Sequence, residues 1–165
     1  MLLIFGGLPA SGKSTISKRV AHELNATYVR VDTIEQTLME IGHTTVCGEG
    51  YELAYRVAAE NLSLGLTVVA DSVNSIEITR SAWRKVGEQA KVPVLEIEIV
   101  CSDRIEHRRR VESRVTDIEQ STKVTWEDVL NRDYERWLQA NIVIDTAGIP
   151  ADQSVVRTLS LINEQ

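Results

Sequence analysis

The chain has 165 residues, 43% of them hydrophobic and 25% charged, a balance typical of one globular domain with its own core. Its net charge of −6 argues against broad binding to nucleic acid or acidic membranes, because both need a basic surface. No apolar run reaches membrane-spanning length and no basic segment opens a signal peptide, so we expect a cytoplasmic protein. Cys47 and Cys101 lack metal-ligand spacing and are expected to be reduced thiols.

Short β-branched runs alternate with amphipathic helical patterns along the whole chain. The predicted strands are 2–5, 28–31, 67–70, 94–100 and 142–144. The predicted helices include 13–24, 33–41, 51–62, 74–84 and 126–138. In the third of these, one face is apolar and consists of Tyr51, Ala54, Tyr55, Ala58 and Leu62. Thr125, with Asp128 three residues later, resembles a capping box that opens the last. This alternation predicts an α/β fold with a mostly parallel sheet, in which ligands bind at the carboxyl ends of the strands.

Residues 6–15 read GGLPASGKST and lie between the first predicted strand and the first predicted helix. Gly7, Gly12, Lys13 and Ser14 fit the phosphate-binding pattern G-x-x-x-x-G-K-[ST]. Glycines let backbone amides approach a phosphate, and the helix N-terminus adds partial positive charge. In this motif the lysine reaches the β- and γ-phosphates and the serine ligates Mg²⁺. The alternative is a strand-to-helix turn with an incidental lysine. The predicted phosphate-binding residues are Gly7, Pro9, Ala10, Ser11, Gly12, Lys13, Ser14 and Thr15.

Asp32 ends the second predicted strand, in the stretch YVRVDTIEQTL. A carboxylate on the ligand edge of the sheet can accept the proton of an attacking hydroxyl or orient that hydroxyl. The alternative is that Asp32 pairs with Glu35 to cap helix 33–41, and the two roles can coexist.

Polar residues also follow the third predicted strand. Asp71 is a predicted Mg²⁺ ligand, because a carboxylate beside a phosphate loop commonly holds this metal; the alternative is a turn-forming aspartate. Asn74 either contacts the substrate or, with Glu77 three residues later, caps the next helix. Arg80 either faces an acidic acceptor or is a solvated side chain.

The arginine-rich run RIEHRRRVESR at 104–114 follows the fourth predicted strand. In a helix, Arg110 and Arg114 share a face, where a positioned arginine can stabilise the charge of a transferring phosphoryl group. A polar stretch follows, which favours a lid at about 115–124. The alternative is a solvated helix, and Arg108 is expected to face solvent.

Together these segments resemble the P-loop small kinases of the nucleoside-monophosphate-kinase-like superfamily. The similarity is to compact members related to the kinase domain of polynucleotide kinase, gluconate kinase and chloramphenicol phosphotransferase. It spans nearly the whole chain through GLPASGKST, VDTIEQTL, GLTVVADSVN, RVESR and NIVIDTAG. The resemblance implies one kinase-like domain over 1–165, with a three-layer P-loop NTPase fold. Its five-stranded parallel sheet is expected to have the order 2-3-1-4-5, with a small lid after strand four.

The resemblance also implies roles for matching residues. Asp32 matches the aspartate that activates the acceptor hydroxyl, and Arg114 matches the lid arginine that contacts the transferring phosphate. Arg110 matches an arginine near the nucleotide. DTAG at 145–148 looks like the loop beside the adenine, which makes Thr146 a nucleotide-binding candidate.

One position departs from the family pattern. Polynucleotide kinases have an arginine three residues after the aspartate, where it meets the substrate phosphate, and Glu35 stands there in this chain. A carboxylate would repel an acidic acceptor, which disfavours nucleic acid as a substrate.

We therefore expect an ATP-dependent kinase that uses Mg²⁺ and phosphorylates a hydroxyl of a small molecule, with Lys13 and Arg114 stabilising the transferring group. The alternatives are a nucleotide or polynucleotide 5′-kinase, and a nucleotide-dependent switch or ATPase that acts on a protein partner. The sequence identifies neither the acceptor nor the oligomeric state.

Overall fold

A computed structural model of the chain describes residues 1–114 and 124–165. The predicted lid, about 115–124, falls outside these residues except for its last position. The strands are β1 Leu2–Gly6, β2 Thr27–Arg30, β3 Val68–Asp71, β4 Val94–Val100 and β5 Ile142–Asp145. The helices are α1 Lys13–Glu23, α2 Val31–Glu40, α3 Glu49–Ser63, α4 Glu77–Ala90, α5 Arg104–Ser113, α6 Trp126–Asn131 and α7 Ala151–Asn163.

The five strands form one parallel sheet of order β2-β3-β1-β4-β5, which confirms the predicted fold and strand order. In the register, Asp71 lies beside Phe5 on one side and beside Arg30 on the other. The carboxyl ends of β1, β2 and β3 therefore lie at one level. The segments that follow these three strands begin at the same edge of the sheet.

The central strand β1 is buried on both faces, which explains its continuous apolar sequence. Leu3 and Phe5 belong to a core shared with α1 and α7, whereas Leu2 and Ile4 belong to a core shared with α3 and α4. The sheet is thus the middle of three layers. The predicted apolar face of the third helix is confirmed, since its alanine and leucine positions are buried in α3.

The segment around α6 differs from its prediction. The expected capping box is present, with Thr125 and Asp128 each accepting a backbone hydrogen bond from the other. The helix, however, ends at Asn131 rather than continuing to 138. Beyond it, the Tyr134 hydroxyl donates to Glu98 at 2.8 Å, and Trp137 is buried against the sheet.

The buried position of Trp137 explains why the helix stops. Its indole N–H donates to Glu96, a buried carboxylate in the middle of β4 that also accepts from Arg84 at 2.8 Å. These contacts with a strand replace the contacts that a continuing amphipathic helix would make.

No helix within residues 1–114 and 124–165 is long and apolar enough to cross a membrane.

The ring of Trp137 fills the space beside Gly6, so a residue with a side chain does not fit at this position. A Cβ atom on Gly6 would lie 2.1 Å from Cζ3 and 2.8 Å from Cη2 of the indole ring. We expect Gly6→Ala to lower the free energy of unfolding by about 1–3 kcal/mol, the usual cost of overpacking a core. Urea denaturation measures this change.

The double variant Gly6→Ala/Trp137→Phe tests the cause of this loss. Phenylalanine lacks the outer ring atoms that the new methyl group would meet, so the double variant should lose less stability than the two single variants summed. Strictly additive losses would contradict a clash between the two residues.

Candidate active site

The backbone of the loop between β1 and α1 adopts φ angles at two positions that favour glycine. Gly7 and Gly12 have φ angles of 147° and 99°, and a Cβ atom on Gly7 would lie 2.2 Å from the carbonyl oxygen of Ile99. Gly12 precedes α1, and no side chain in the described part of the chain caps this helix start. The first backbone N–H groups of α1 are thereby left for an anion, as in phosphate-binding loops.

Lys13 and Asp71 form an ion pair in the interior of the site. Lys13 is 5% exposed and Asp71 is fully buried, and the lysine ammonium donates to the carboxylate. The same carboxylate accepts from the hydroxyls of Ser17, at 3.0 Å, and Tyr28. The aspartate therefore bonds side chains of three other positions, unlike the aspartate of an isolated turn.

These contacts determine the charge state of Asp71. Burial on its own would raise the pKa of this carboxyl, because an ionised group loses its hydration. The charge of Lys13 and the hydrogen bonds from Lys13, Tyr28 and Ser14 together outweigh that effect. The pKa of Asp71 is lowered as a result, so the carboxylate is ionised when the site is at neutral pH.

Ser14 and Asp71 together fit a Mg²⁺ site. The Lys13 ammonium lies 3.5 Å from the Ser14 hydroxyl, and a hydrogen bond from Ser14 also lowers the pKa of Asp71. Mg²⁺ is usually bound by one or two protein oxygens and completed by water and substrate phosphates. Within residues 1–114 and 124–165, no group of three acidic, histidine or cysteine side chains could hold a metal without such help.

Asp32 lies in the first turn of α2, not at its cap. The helix begins at Val31, whose side chain is buried, and Arg30 is the N-cap residue without a side-chain cap hydrogen bond. The predicted capping pair of Asp32 and Glu35 is therefore wrong. One carboxylate oxygen of Asp32 lies 3.8 Å from the guanidinium of the buried Arg30, and the side chain is 35% exposed. Asp32 is thus held at the sheet edge and remains accessible.

Glu35 lies one turn after Asp32 on the same face of α2. The side chain is half-buried, and its Cγ crosses the backbone of Gly50, where a Cβ atom would lie 2.2 Å away. Burial raises the pKa of Glu35 to about 7, with a further contribution from the negative charge of Asp32. Arg132 opposes this shift and Glu49 adds to it.

Asn74 is a structural residue of the loop after β3. It is fully buried at a φ of 48°, and its Nδ2 donates to the carbonyl of Phe5 at 2.9 Å. Its own backbone N–H donates to the Tyr51 hydroxyl at 3.3 Å. Ile76 precedes α4, so the predicted helix cap is wrong. The predicted substrate contact is also corrected, since no surface of Asn74 is exposed.

Arg80 is also fully buried, which contradicts both of its predicted roles. Its guanidinium donates to the carbonyls of Asn74 at 2.7 Å and Glu135 at 2.7 Å. It also lies 4.6 Å from the ring centroid of Trp137. A side chain enclosed in this way is neither solvated nor able to reach an acidic acceptor. It instead joins α4 to the segment that follows α6.

Arg110 and Thr146 lie together beside the phosphate-binding loop. Arg110 donates to the hydroxyl and to the carbonyl of Thr146, each at 2.8 Å, and to Glu106 at 2.7 Å. The Thr146 hydroxyl donates to the Ser11 carbonyl at 2.7 Å. The two residues assigned to nucleotide binding by resemblance are therefore neighbours of the loop, although their contact with a nucleotide stays a prediction.

The other arginines of α5 separate by position. Arg108 is 60% exposed and pairs with Glu112 at 2.7 Å, so its predicted solvent exposure is confirmed. Arg114 follows the last helical residue, Ser113, and is the C-cap of α5. Its contact with the transferring phosphate stays a prediction.

Sequence reasoning missed three residues that support the loop. Ser17 and Tyr28 bind Asp71, and His107 Nε2 lies 2.8 Å from the Pro9 carbonyl. Ser17 could have been found, because it lies four residues after Lys13 on the same face of a helix. Tyr28 and His107 carry no local signal, since they reach the site through the packing of distant elements.

A family model described as an AAA domain matches residues 2–135. APS kinase from Mycobacterium tuberculosis, solved with AMPPNP and APS, has a TM-score of 0.75 at 19% identity, covering 98% of this chain and 96% of that chain. A gluconokinase from Sinorhizobium meliloti 1021 has a TM-score of 0.68 at 15% identity, covering 98% and 91%. Kti12 from Chaetomium thermophilum, solved with ADP-AlF3, has a TM-score of 0.68 at 20% identity, covering 98% and 99%. No curated protein sequence matches the chain.

The raised pKa of Glu35 predicts a pH-dependent cost to stability. Between its ordinary pKa of 4.5 and about 7, the folded protein binds this proton more tightly than the unfolded chain does. The contribution of Glu35 to stability therefore falls as pH rises through this window. Glu35→Gln should be the more stable protein at pH 8, on the order of 1 kcal/mol after solvent screening, with a much smaller gain at pH 5.

Urea denaturation of both proteins at the two pH values measures this difference. Glu52→Gln is the matched control, since Glu52 is an exposed α3 residue paired with Arg56. An equal gain from Glu35→Gln at pH 5 and pH 8 would mean that its ionisation is not the cause.

Proposed function

The chain belongs to the AAA domain family, and from this premise we propose that it is an ATP-dependent kinase that phosphorylates a hydroxyl of a small molecule. The solved neighbours, an APS kinase and a gluconokinase among them, share the P-loop kinase fold that the sequence resembles. One observation carries the proposal. The carboxylate of Asp32 is accessible at the edge of the sheet from which the phosphate loop also begins. Asp32 follows Arg30 by two residues, and Arg30 is in register with Asp71, the partner of Lys13.

The phosphate loop binds and orients the ATP phosphates through the backbone amides that begin α1. Lys13 moves from Asp71 toward the β- and γ-phosphate oxygens and offsets their charge. Ser14 and Asp71 would hold Mg²⁺, which supplies further neutralisation of phosphate charge. Arg110 and Thr146 bind the nucleotide beside the loop.

Asp32 takes the proton of the acceptor hydroxyl as the hydroxyl oxygen forms its bond to the γ-phosphorus. The bond between that phosphorus and the bridging oxygen breaks in the same transfer, and ADP leaves with the electron pair. Arg114 contacts the equatorial oxygens of the phosphoryl group, where negative charge is spread during transfer.

A nucleotide-dependent switch or ATPase is the second candidate. Its support is the similarity to Kti12, solved with ADP-AlF3. The two candidates differ in what ATP turnover needs. A kinase requires an acceptor and forms a phosphorylated product, whereas an ATPase releases inorganic phosphate without one. Measuring ADP, inorganic phosphate and phosphorylated product across a panel of small hydroxyl compounds separates them.

Lys13→Ala should lower ATP turnover by about 10²-fold or more, because a preorganised cation at the transferring phosphate is lost. ADP formation measures the effect. Lys85→Ala is the matched control, since Lys85 is an exposed lysine of α4. Because the variant also leaves Asp71 without its cation, melting must show that it is folded. A folded Lys13→Ala protein with wild-type turnover would contradict the phosphate-loop assignment.

Asp32→Asn should lower kcat by roughly 10²–10⁴-fold, because an amide cannot take the proton of the hydroxyl. ATP binding should be unchanged, since the phosphate loop is intact. Stability should change little, because Asp32 does not cap α2. Asp152→Asn, at an exposed position of α7, is the control. Unchanged kcat in Asp32→Asn would place the proton acceptor elsewhere and favour the ATPase.

A further inference from the structure

The surface around Asp32, where the proposed acceptor would bind and which we call the acceptor side, carries an excess of negative charge. Asp32 and Glu35 lie on one face of α2, and the charge of Glu49, at the start of α3, also acts on Glu35. Two guanidinium groups oppose these carboxylates. Arg30 lies 3.8 Å from Asp32, and Arg132 lowers the pKa of Glu35. Among the residues that the structure describes, these three carboxylates are thus accompanied by two guanidinium groups, and the Glu49 carboxylate also accepts from the backbone N–H groups of Cys47 and Gly48.

Packing holds the Glu35 side chain in place at this edge. Gly50 is buried in α3, and a Cβ atom there would lie 2.2 Å from Cγ, 3.1 Å from Cδ and 3.1 Å from Oε1 of Glu35. The side chain thus crosses α3 at the point where that helix has no side chain. Both helix surfaces enclose its stem, so the carboxylate has a defined position instead of swinging freely in solvent.

Within residues 1–114 and 124–165, the positive charge near Glu35 does not balance the cost of ionising its half-buried carboxylate. Ionisation of Glu35 is opposed by its burial and by two neighbouring carboxylates, and Arg132 compensates only partly, so the pKa rises to about 7. A cation placed beside Glu35 would remove this conflict. Burial raises the pKa of the Tyr51 hydroxyl, and the negative charge of Glu35 and Asp32 raises it further, so this hydroxyl also lies in the field of both carboxylates.

We infer that the acceptor carries a cationic amine near the hydroxyl that receives the phosphate, and that Glu35 selects for this amine. The inference rests on the proposed function, which places the acceptor hydroxyl beside Asp32. An amino alcohol offers both groups, the hydroxyl to Asp32 and the ammonium to Glu35 one helical turn further. A hydroxy acid would set its carboxylate against Asp32 and Glu35 and is rejected.

The test compares matched compounds that differ only in charge. One set is ethanolamine, ethylene glycol and glycolate, and a longer set is aminobutanol, butanediol and hydroxybutyrate. Binding of each compound is measured by calorimetry with AMPPNP present, and phosphorylation of each is measured with ATP. In at least one set at pH 8, we expect the amine to bind about tenfold or more tightly than its neutral partner, the strength of one charge-assisted hydrogen bond.

Two further comparisons assign that preference to Glu35. The preference should weaken at pH 6, where Glu35 is mostly protonated while both amines keep their charge. In Glu35→Gln it should fall to about twofold or less at both pH values, with little change in binding of the neutral compound. Glu52→Gln, which removes an exposed carboxylate of α3, should keep the wild-type preference.

The inference is overturned if neither set shows a preference for the amine, or if Glu35→Gln retains that preference. Phosphorylation separates this failure from failure of the proposed function. Phosphate transfer to neutral or acidic compounds that is unaffected by Glu35→Gln would uphold the kinase and overturn the selection for an amine. Glu35-dependent binding of amines without any phosphorylated product would uphold the charge selection and overturn the kinase.

Discussion

The buried ion pair of Lys13 and Asp71 is the interaction on which the rest of the site depends. A fully buried carboxylate is costly unless a cation and hydrogen bonds compensate it, and Asp71 has both. The pair also links the start of α1, which follows the phosphate loop, to the end of β3, which is paired with β1. The lysine thus lies beside the carboxylate that we propose to hold the metal, and both groups lie next to the loop that we propose to bind the phosphates.

Parallel strand register extends this arrangement to the acceptor side. Because Arg30 is aligned with Asp71, the start of α2 lies at the level of the phosphate loop. Asp32 follows in the first helical turn, and Glu35 follows one turn later over Gly50. Both carboxylates are partly buried, and we propose different tasks for them, proton transfer for Asp32 and charge selection for Glu35.

A second network of buried side chains holds the segments that follow β1 and β3 in place. Arg80 binds the carbonyls of Asn74 and Glu135, and Asn74 binds the end of β1 through Phe5. Trp137 fills the space beside Gly6, next to the start of the phosphate loop. These contacts join the segment after α6 to the ends of β1 and β3, next to the start of the phosphate loop and to Asp71. Polar side chains without solvent exposure serve here to hold backbone carbonyls in position.

The sequence by itself determined the features that local patterns encode. The glycine spacing before Lys13 predicted the phosphate loop, and the alternation of apolar strands with amphipathic helices predicted the parallel sheet. The capping box of Thr125 and Asp128 predicted where α6 begins. Each of these patterns involves residues a few positions apart, so their separation along the chain determines their separation in the folded protein.

Only the tertiary structure decided the roles of Asn74, Arg80 and Trp137, and the place where α6 ends. An arginine or asparagine near a strand end has the same sequence signature whether it faces a ligand or binds carbonyls inside the fold. Burial decides between these roles, and burial is set by contacts between residues far apart in the chain, such as Arg80 with Glu135 and Gly6 with Trp137. Local spacing carries no information about such contacts, because they arise only when the sheet brings distant segments together.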